Sequence, residues 1–202
     1  MVFKVQLTGL KELQSNLSPE KFKRAVIRAL DRTVKSGKSE AQRRIRDEYN
    51  IKLGDLSKRV EVDIHPSRLE AVINVKGKAL PLMKFDPKQV IEVRNQKSKG
   101  LYSKLRKTKP GSKGIASTTV MVKMGQRKIV QGGFIPKLNS GHKTIFKRIG
   151  KARYPIKQLF TIDVHNMFGS QRVMDSVIKR IHEQWNKNIV HEITEGWKYG
   201  NK

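Results

Sequence analysis

The seventy residues from 93 to 162 contain 18 Lys and Arg residues and no Asp or Glu. Local ion pairs cannot neutralise this segment, so negative charge must reach it from outside. The whole chain carries a formal net charge of +27, from 44 basic and 17 acidic side chains. A charge of this size opposes compaction and attracts polyanions, which predicts nucleic acid, a phosphate-rich surface or an acidic protein as the partner.

The first part of this segment is rich in Lys, Gly and Ser and poor in apolar residues. Residues 94–114 read RNQKSKGLYSKLRKTKPGSKG, which buries too little apolar surface to offset the entropy of ordering. We therefore expect an extended basic arm at 94–114, with a solvated loop that only aids solubility as the alternative. The side chains of the arm expected to contact DNA or an acidic partner are Lys97, Lys99, Lys104, Arg106, Lys107, Lys109 and Lys113.

Length and composition exclude several classes of protein. A chain of 202 residues favours a single domain, 1–202, and its 37% hydrophobic content is sufficient for a core. Because the chain has no cysteine, disulfides, thiolate nucleophiles and cysteine-based zinc sites are excluded. No stretch approaches the roughly 20 apolar residues of a membrane span, and the first residues lack a signal peptide's apolar run. We expect synthesis in a cytoplasm and no membrane partner.

Two long helices are predicted, one toward each end of the chain. Ser18 is a good N-cap, Pro19 suits the first helical position, and Glu20 faces the positive end of the helix dipole. Small residues in the apolar stripe indicate close approach to a sheet or another helix, with a bend at Gly37 as the alternative. The first stripe comprises Phe22, Ala25, Val26, Ala29, Leu30, Thr33, Gly37, Ala41, Ile45 and Tyr49, and the C-terminal one comprises Phe168, Val173, Val177, Ile178, Ile181, Trp185, Ile189 and Ile193.

Strand patterns fill the region between the helices. Residues 59–64 and 69–75 alternate apolar and polar side chains around a Pro-containing connection, which predicts an antiparallel hairpin. The fold class is therefore α+β, with an antiparallel sheet flanked by two long amphipathic helices and a long basic loop or arm in the middle. Further strands are predicted at 2–7, 118–124, 128–131, 133–138 and 143–148.

Two short motifs resemble ligand-binding motifs, but each lacks a residue that the binding chemistry requires. Residues 36–39 contain the GKS of a phosphate-binding loop, but Arg32 stands where the earlier glycine is required, and the segment is helical in pattern. His182 and His191 are each followed by Glu, yet neither has a second histidine four residues later. We expect both to be surface histidines of the C-terminal helix.

Glu61 and Asp63 point to one face of a predicted strand, as two carboxylates that bind magnesium in a nuclease would. The stronger interpretation is a solvated hairpin face, on which they neutralise Lys58, Arg59 and Arg68. No serine lies in a G-x-S-x-G context. We expect no enzymatic activity, no metal and no cofactor, with a nuclease as the remote alternative.

Several segments, taken in order, resemble a known family. They are LSPEKFKRAVIRALDRT, EYNIKLGDLSKRV, ALPLMKFDPKQ, TTVMVKMGQRKIVQGGFIPKL and GHKTIFKRIGKARYPIKQLFTIDVHNMFG. Together they resemble the prophage minor tail protein Z family, the tail completion proteins of long-tailed phages. GGFIPKL followed by FKRIG and YPIKQLF is the most specific part. The resemblance runs from about residue 5 into the C-terminal helix, whereas the Lys-rich stretch 97–113 departs from it.

The resemblance implies a non-catalytic structural virion protein at the head-proximal end of the tail, needed for head–tail joining and DNA passage. It implies a homo-oligomer, namely a hexameric ring, whose neighbours are tail terminator, tail tube or neck proteins and, nonspecifically, packaged DNA. Besides the arm, the expected contacts with DNA or an acidic partner are Lys123, Arg127, Lys128, Lys147, Arg148, Lys151 and Arg153. The expected subunit interface comprises Phe134, Ile135, Phe146, Tyr154, Ile156, Leu159 and Phe160, for which an ordinary core role is the alternative.

The competing class is a standalone, sequence-nonspecific nucleic-acid-binding protein, which the charge alone would support. The aromatic residues of the basic segment form no RNP-like pattern, so sequence-specific readout is not expected from either class.

Overall fold

The computed structural model describes residues 18–92, 105–106, 115–136, 141 and 143–198. The fold is α+β with antiparallel strands and a long helix toward each end, as predicted. The helices are α1 (Pro19–Glu48), α2 (Leu53–Ser57), α3 (Val164–Phe168) and α4 (Gln171–Lys198). The strands are β1 (Val60–His65), β2 (Glu70–Val75), β3 (Ala79–Pro81), β4 (Lys88–Glu92), β5 (Leu105–Arg106), β6 (Ile115–Lys123), β7 (Gln126–Val130), β8 (Gly133–Phe134), β9 (Phe146–Arg148), β10 (Ile156–Gln158) and β11 (Phe160–Asp163).

The described strands form four small antiparallel sheets. Their orders are β1-β2, β10-β9-β8, β11-β3 and β5-β4-β6-β7. The predicted strand at 2–7 lies outside the described residues. The one predicted at 133–138 is shorter than expected, since pairing stops at Phe134 and Pro136 has no N–H to extend the ladder.

The chain divides into two compact units. The first unit combines 1–45, 53–78 and 164–202, and the second combines 46–52 and 79–163. The last turn of α1 belongs to the second unit. This division does not test whether 1–202 forms a single domain, which stays a prediction.

In the first unit, α1 packs against α4 in antiparallel orientation. Arg180 donates a hydrogen bond to the Ser36 hydroxyl at 3.0 Å, and farther along Asn188 donates to Thr33 at 3.0 Å. The whole predicted stripe of α1 is buried. Gly37 lies within an unbroken helix, and a Cβ there would be only 2.9 Å from Ile181 Cγ1. Close helix packing, and not a bend, therefore explains this glycine.

The β1–β2 hairpin completes the first unit. Its register pairs Val60 with Val75 and Ile64 with Ala71, which confirms the predicted hairpin. Ala71, Val72 and Ile73 of β2 are buried. The hairpin thus contributes its apolar side chains to the core that the two helices share.

The second unit is built around buried apolar side chains from short strands and turns, among them Leu80, Phe85, Val120 and Ile145. The residues that follow α1 extend the pairing of β6, because the Asn50 N–H donates to the Val122 carbonyl at 2.9 Å. Five strands of this unit, β3, β4, β5, β10 and β11, were not among the predicted strands. Strands of two to five residues are too short for a clear period-two signal.

Candidate interaction surface

The basic arm lies mostly outside the described residues. Lys97, Lys99, Lys104, Lys107, Lys109 and Lys113 are among these residues. The described part, Leu105–Arg106, forms β5 and pairs with β4, with Arg106 opposite Ile91. The predicted contacts of the arm therefore stay predictions.

Two of the other predicted anion contacts have acidic partners within the second unit. Lys123 lies 3.5 Å from the Glu48 carboxylate. Arg127 forms an ion pair with Asp86 and also donates to the Asp86 backbone carbonyl at 2.8 Å. Glu48 and Asp86 both lie outside the acid-free segment, so other parts of the chain supply some of its missing negative charge.

The Lys123 contact belongs to a small cluster at the end of α1. The Met124 N–H donates to the Glu48 carbonyl at 2.9 Å, and Tyr49 forms a backbone bridge with Lys123. Burial raises the pKa of the Tyr49 hydroxyl above its usual value of 10.0, and the nearby Glu48 charge raises it further. Tyr49 is therefore neutral, and the cluster carries no net charge beyond the Lys123–Glu48 pair.

The sheet β10-β9-β8 presents basic side chains that have no such partner. Its register places Lys157 of β10 directly opposite Lys147 of β9, and Lys147 opposite Gly133 of β8. Both lysines are exposed, and neither forms an ion pair within the described part of the chain. Two like charges directly opposite each other are destabilising in an antiparallel pair. An anion bound to this face of the sheet would therefore relieve the repulsion between the two lysines.

The connection between β9 and β10 extends the basic surface. The Ile149 N–H donates to the Pro155 carbonyl at 3.2 Å, so residues 149–155 form the closed tip of a hairpin. Lys151 and Arg153 are exposed in this tip, and Arg153 lies over the Tyr154 ring, 5.8 Å from its centroid. Arg148, at the end of β9, lies over the Phe134 ring at 5.4 Å. Lys128, the last predicted contact, is exposed on β7.

The predicted interface residues fall into two groups. Phe134, Ile135, Phe146, Ile156 and Leu159 are half-buried, as contributors to the edge of a core would be. Tyr154 and Phe160 are exposed, at 65% and 50% of their surface.

The exposed group includes the outer face of β11. Phe160 and Ile162 alternate outward there, whereas Thr161 lies opposite the buried Leu80 of β3. The outward side is thus more apolar than the inward side, the reverse of an ordinary solvent-facing strand.

Sequence reasoning missed three exposed residues of this surface: Ile149, Lys157 and Ile162. The alternation in FTID could have indicated β11, but its apolar side chains would have been assigned to the core. Lys157 becomes significant only through its register with Lys147, which the sequence does not give.

The motifs set aside in the sequence have ordinary structural roles. Residues 36–39 lie inside α1, and His182 and His191 are exposed on α4. Glu61 forms an ion pair with Lys76 at 2.5 Å, and Asp63 accepts a hydrogen bond from Asn74. The partners of the two carboxylates are therefore Asn74 in β2 and Lys76 directly after it, and not the predicted Lys58, Arg59 and Arg68.

Over the described ranges, the structure contains no helix of the length and hydropathy of a membrane span. In the same ranges, no three side chains of the His, Asp or Glu type come together as metal ligands.

Comparison with known proteins identifies one family. The model of prophage minor tail protein Z matches residues 7–199, which is nearly the whole chain. No match was found among curated proteins or among solved structures. Because the family match extends through both units and both long helices, the chain belongs to the prophage minor tail protein Z family and is a structural component of a phage tail.

Proposed function

We propose that this protein completes the tail of a long-tailed phage. In this proposal it acts without catalysis at the head-proximal end, where it joins tail to head and surrounds the path of the DNA. Its membership of a minor tail protein family over residues 7–199 carries the proposal. The unpartnered positive charge of the β9–β10 hairpin supports a position where a polyanion passes or an acidic neighbour docks.

We further propose that the protein forms a homo-oligomeric ring, with six copies. The apolar outer face of β11 supports this, because Phe160 and Ile162 would leave water on contact with a second copy. A head-to-tail interface that closes on itself produces a ring. Tail terminator, tail tube or neck proteins would contact the remaining surface.

The mass of the purified protein in solution, measured by light scattering across salt concentrations, tests the ring. We expect a closed oligomer that persists at high salt, since apolar contacts are not screened. The variant Phe160→Ser/Ile162→Ser should be monomeric. Ile178→Ser/Val190→Ser removes two apolar residues of similar exposure from α4 and should keep the oligomer.

Removal of the gene tests the biological role. We expect heads and tails to accumulate without joining into infectious particles. A protein that stays monomeric even with tail partners, and whose loss leaves particles infectious, would overturn the proposal. Tight, salt-dependent DNA binding by such a monomer would instead support the standalone nucleic-acid-binding class.

A further inference from the structure

We propose that the β9–β10 hairpin, residues 146–158, is a DNA-binding ribbon that contacts the phosphates of duplex DNA without reading its sequence. This inference deepens the proposed function and rests on it for the source of the DNA, whereas the binding itself is a property of the hairpin.

The first step of the argument is the opposed lysine pair. Lys147 and Lys157 face the same side at directly opposite positions, where Cβ atoms of antiparallel pairs are about 5 Å apart. The third position in this row is Gly133, which has no side chain to offer a counter-charge. The Lys147 stem passes close to Gly132, within 4.0 Å of where a Cβ would lie. The Lys147 side chain thus lies beside Gly132, and no carboxylate of the described residues pairs with either lysine, so an external anion would neutralise the pair.

The second step is the distribution of charge around the hairpin. Lys147 and Lys157 occupy one face, Arg148 belongs to the other face by alternation, and Lys151 and Arg153 occupy the tip. A flat acidic protein surface would contact one of these sides at a time. A groove of DNA has a row of phosphates on each side, and the major groove, about 12 Å wide, admits a two-stranded ribbon.

The third step is the chemistry of the tip. Ile149 and Tyr154 are exposed at 68% and 65%, beside Gly150, around which a side chain would meet nothing within 4 Å. Such groups can pack on sugars or base edges when the ribbon enters a groove. The one amide in the two strands, Gln158, donates to the buried Thr144 hydroxyl at 2.9 Å and is not directed to bases. Arg148 and Arg153 lie over the rings of Phe134 and Tyr154, so the described hairpin presents no amide or extended arginine to a base, and we expect phosphate contacts without sequence readout.

The test compares two variants with the same change in charge. Lys147→Gln/Lys157→Gln removes the opposed pair, and Lys179→Gln/Lys187→Gln removes two exposed lysines from α4. Binding of the full chain to a random 25-base-pair duplex is measured by fluorescence anisotropy between 50 and 200 mM salt. We expect the first variant to bind at least about tenfold more weakly at low salt, with a salt slope reduced by about 2. The second should change affinity by less than about threefold, because Lys179 and Lys187 are not part of the hairpin and lower only the net charge.

Two results would overturn the inference. Equal losses in both variants would mean that net charge alone attracts DNA. The second result concerns polyglutamate, tested at the same concentration of negative charge as the DNA. If the Lys147→Gln/Lys157→Gln variant loses as much affinity for polyglutamate as for DNA, the hairpin is a docking element for acidic proteins. Reductive methylation of the wild-type protein provides a test without substitutions: DNA should protect Lys147 and Lys157 and leave Lys179 reactive.

Failure of this inference is distinguishable from failure of the proposed function. Since the two lysines are exposed, the variant should unfold at the same temperature as wild type or slightly higher, and it should still form the ring and join tails. If the Lys147→Gln/Lys157→Gln variant assembles tails and binds DNA as tightly as wild type, the DNA-binding ribbon is rejected and the tail role stands. If the folded wild-type protein does not take part in tail assembly, the tail role is rejected.

Discussion

The Arg32 guanidinium of α1 lies 2.7 Å from the carboxylate of Glu192 on α4, and only 5% of that glutamate side chain is exposed. Arg28, one turn earlier, lies 4.0 Å from the same carboxylate. The Arg32 contact is an ion pair without hydrogen-bond geometry at Oε1. The ion pair joins the two long helices of the first unit through the buried carboxylate of Glu192.

This pair predicts an asymmetry between its two partners. Arg32→Met should lower the free energy of unfolding by about 1–3 kcal/mol, because it leaves a buried carboxylate short of its counter-charge. Glu192→Gln should cost less, since Arg32 is 52% exposed and can be hydrated. Urea unfolding followed by tryptophan fluorescence reports on this unit, because both tryptophans lie in α4. Arg24→Met, at an exposed position of the same helix, is the control. A larger loss for Glu192→Gln than for Arg32→Met would contradict the prediction.

Close packing at Gly37 predicts that alanine is destabilising there. The gain in helix propensity is about 1 kcal/mol, but the new Cβ would meet two Ile181 carbons at 2.9 and 3.0 Å, and overpacking costs about 1–3 kcal/mol. We expect Gly37→Ala to lower stability by about 1 kcal/mol. Adding Ile181→Ala should give a double variant less destabilised than the sum of the singles. Gly54→Ala, where a Cβ meets nothing within 4 Å, should be neutral or stabilising, and additivity at Gly37 would reject the steric explanation.

The second unit has its own test in the buried Thr118 hydroxyl, which donates to the Gly133 carbonyl at 2.9 Å. Thr118→Val keeps the shape and leaves that carbonyl without its donor, which should cost about 1–3 kcal/mol. Hydrogen exchange of β6 amides measures the loss. Thr194→Val removes a hydroxyl hydrogen bond on the exposed side of α4 and should change stability by less than about 0.5 kcal/mol. Unchanged β6 protection would show that this hydrogen bond contributes little.

Glu40 predicts a pH dependence in the first unit. Hydrogen bonds from Arg43 hold the pKa of this carboxyl below its usual 4.5, with a further contribution from Arg44 and some opposition from burial. A lowered folded-state pKa stabilises the protein above the unfolded pKa, and the effect is lost as pH falls through the folded value. Glu40→Gln should therefore cost about 0.5–1 kcal/mol at pH 7 and nothing at strongly acidic pH, measured by urea unfolding at both. A pH-independent difference would indicate lost packing instead of lost charge.

The two long helices could be predicted from the sequence because their signals are local. The Ser18-Pro19-Glu20 start and the three-and-four spacing from Phe22 onward suffice to define α1. The division of the chain into units could not be predicted, because it depends on α4 returning to α1 across more than a hundred residues. Strand register also depends on pairing between separate segments of the chain. The Lys147–Lys157 pairing and the outward apolar face of β11 could therefore be identified only from the structure.

The count of charges along the sequence locates the basic segment but does not show which of its cations have acidic partners within the chain. The sequence treats Arg127 and Lys147 alike, whereas the fold pairs Arg127 with Asp86 from forty-one positions earlier. Only three-dimensional proximity separates a cation that holds the unit together from one that is available to a ligand.

The composite first unit imposes an order on biosynthesis. Residues 79–163, which form most of the second unit, leave the ribosome before α4 does. Until then, the buried stripe of α1 lacks its α4 partner, and the surface at Gly37 that Ile181 later covers is open to water. When residue 163 has been synthesised, all residues of the second unit are therefore present, whereas the first unit still lacks the helix that packs on α1.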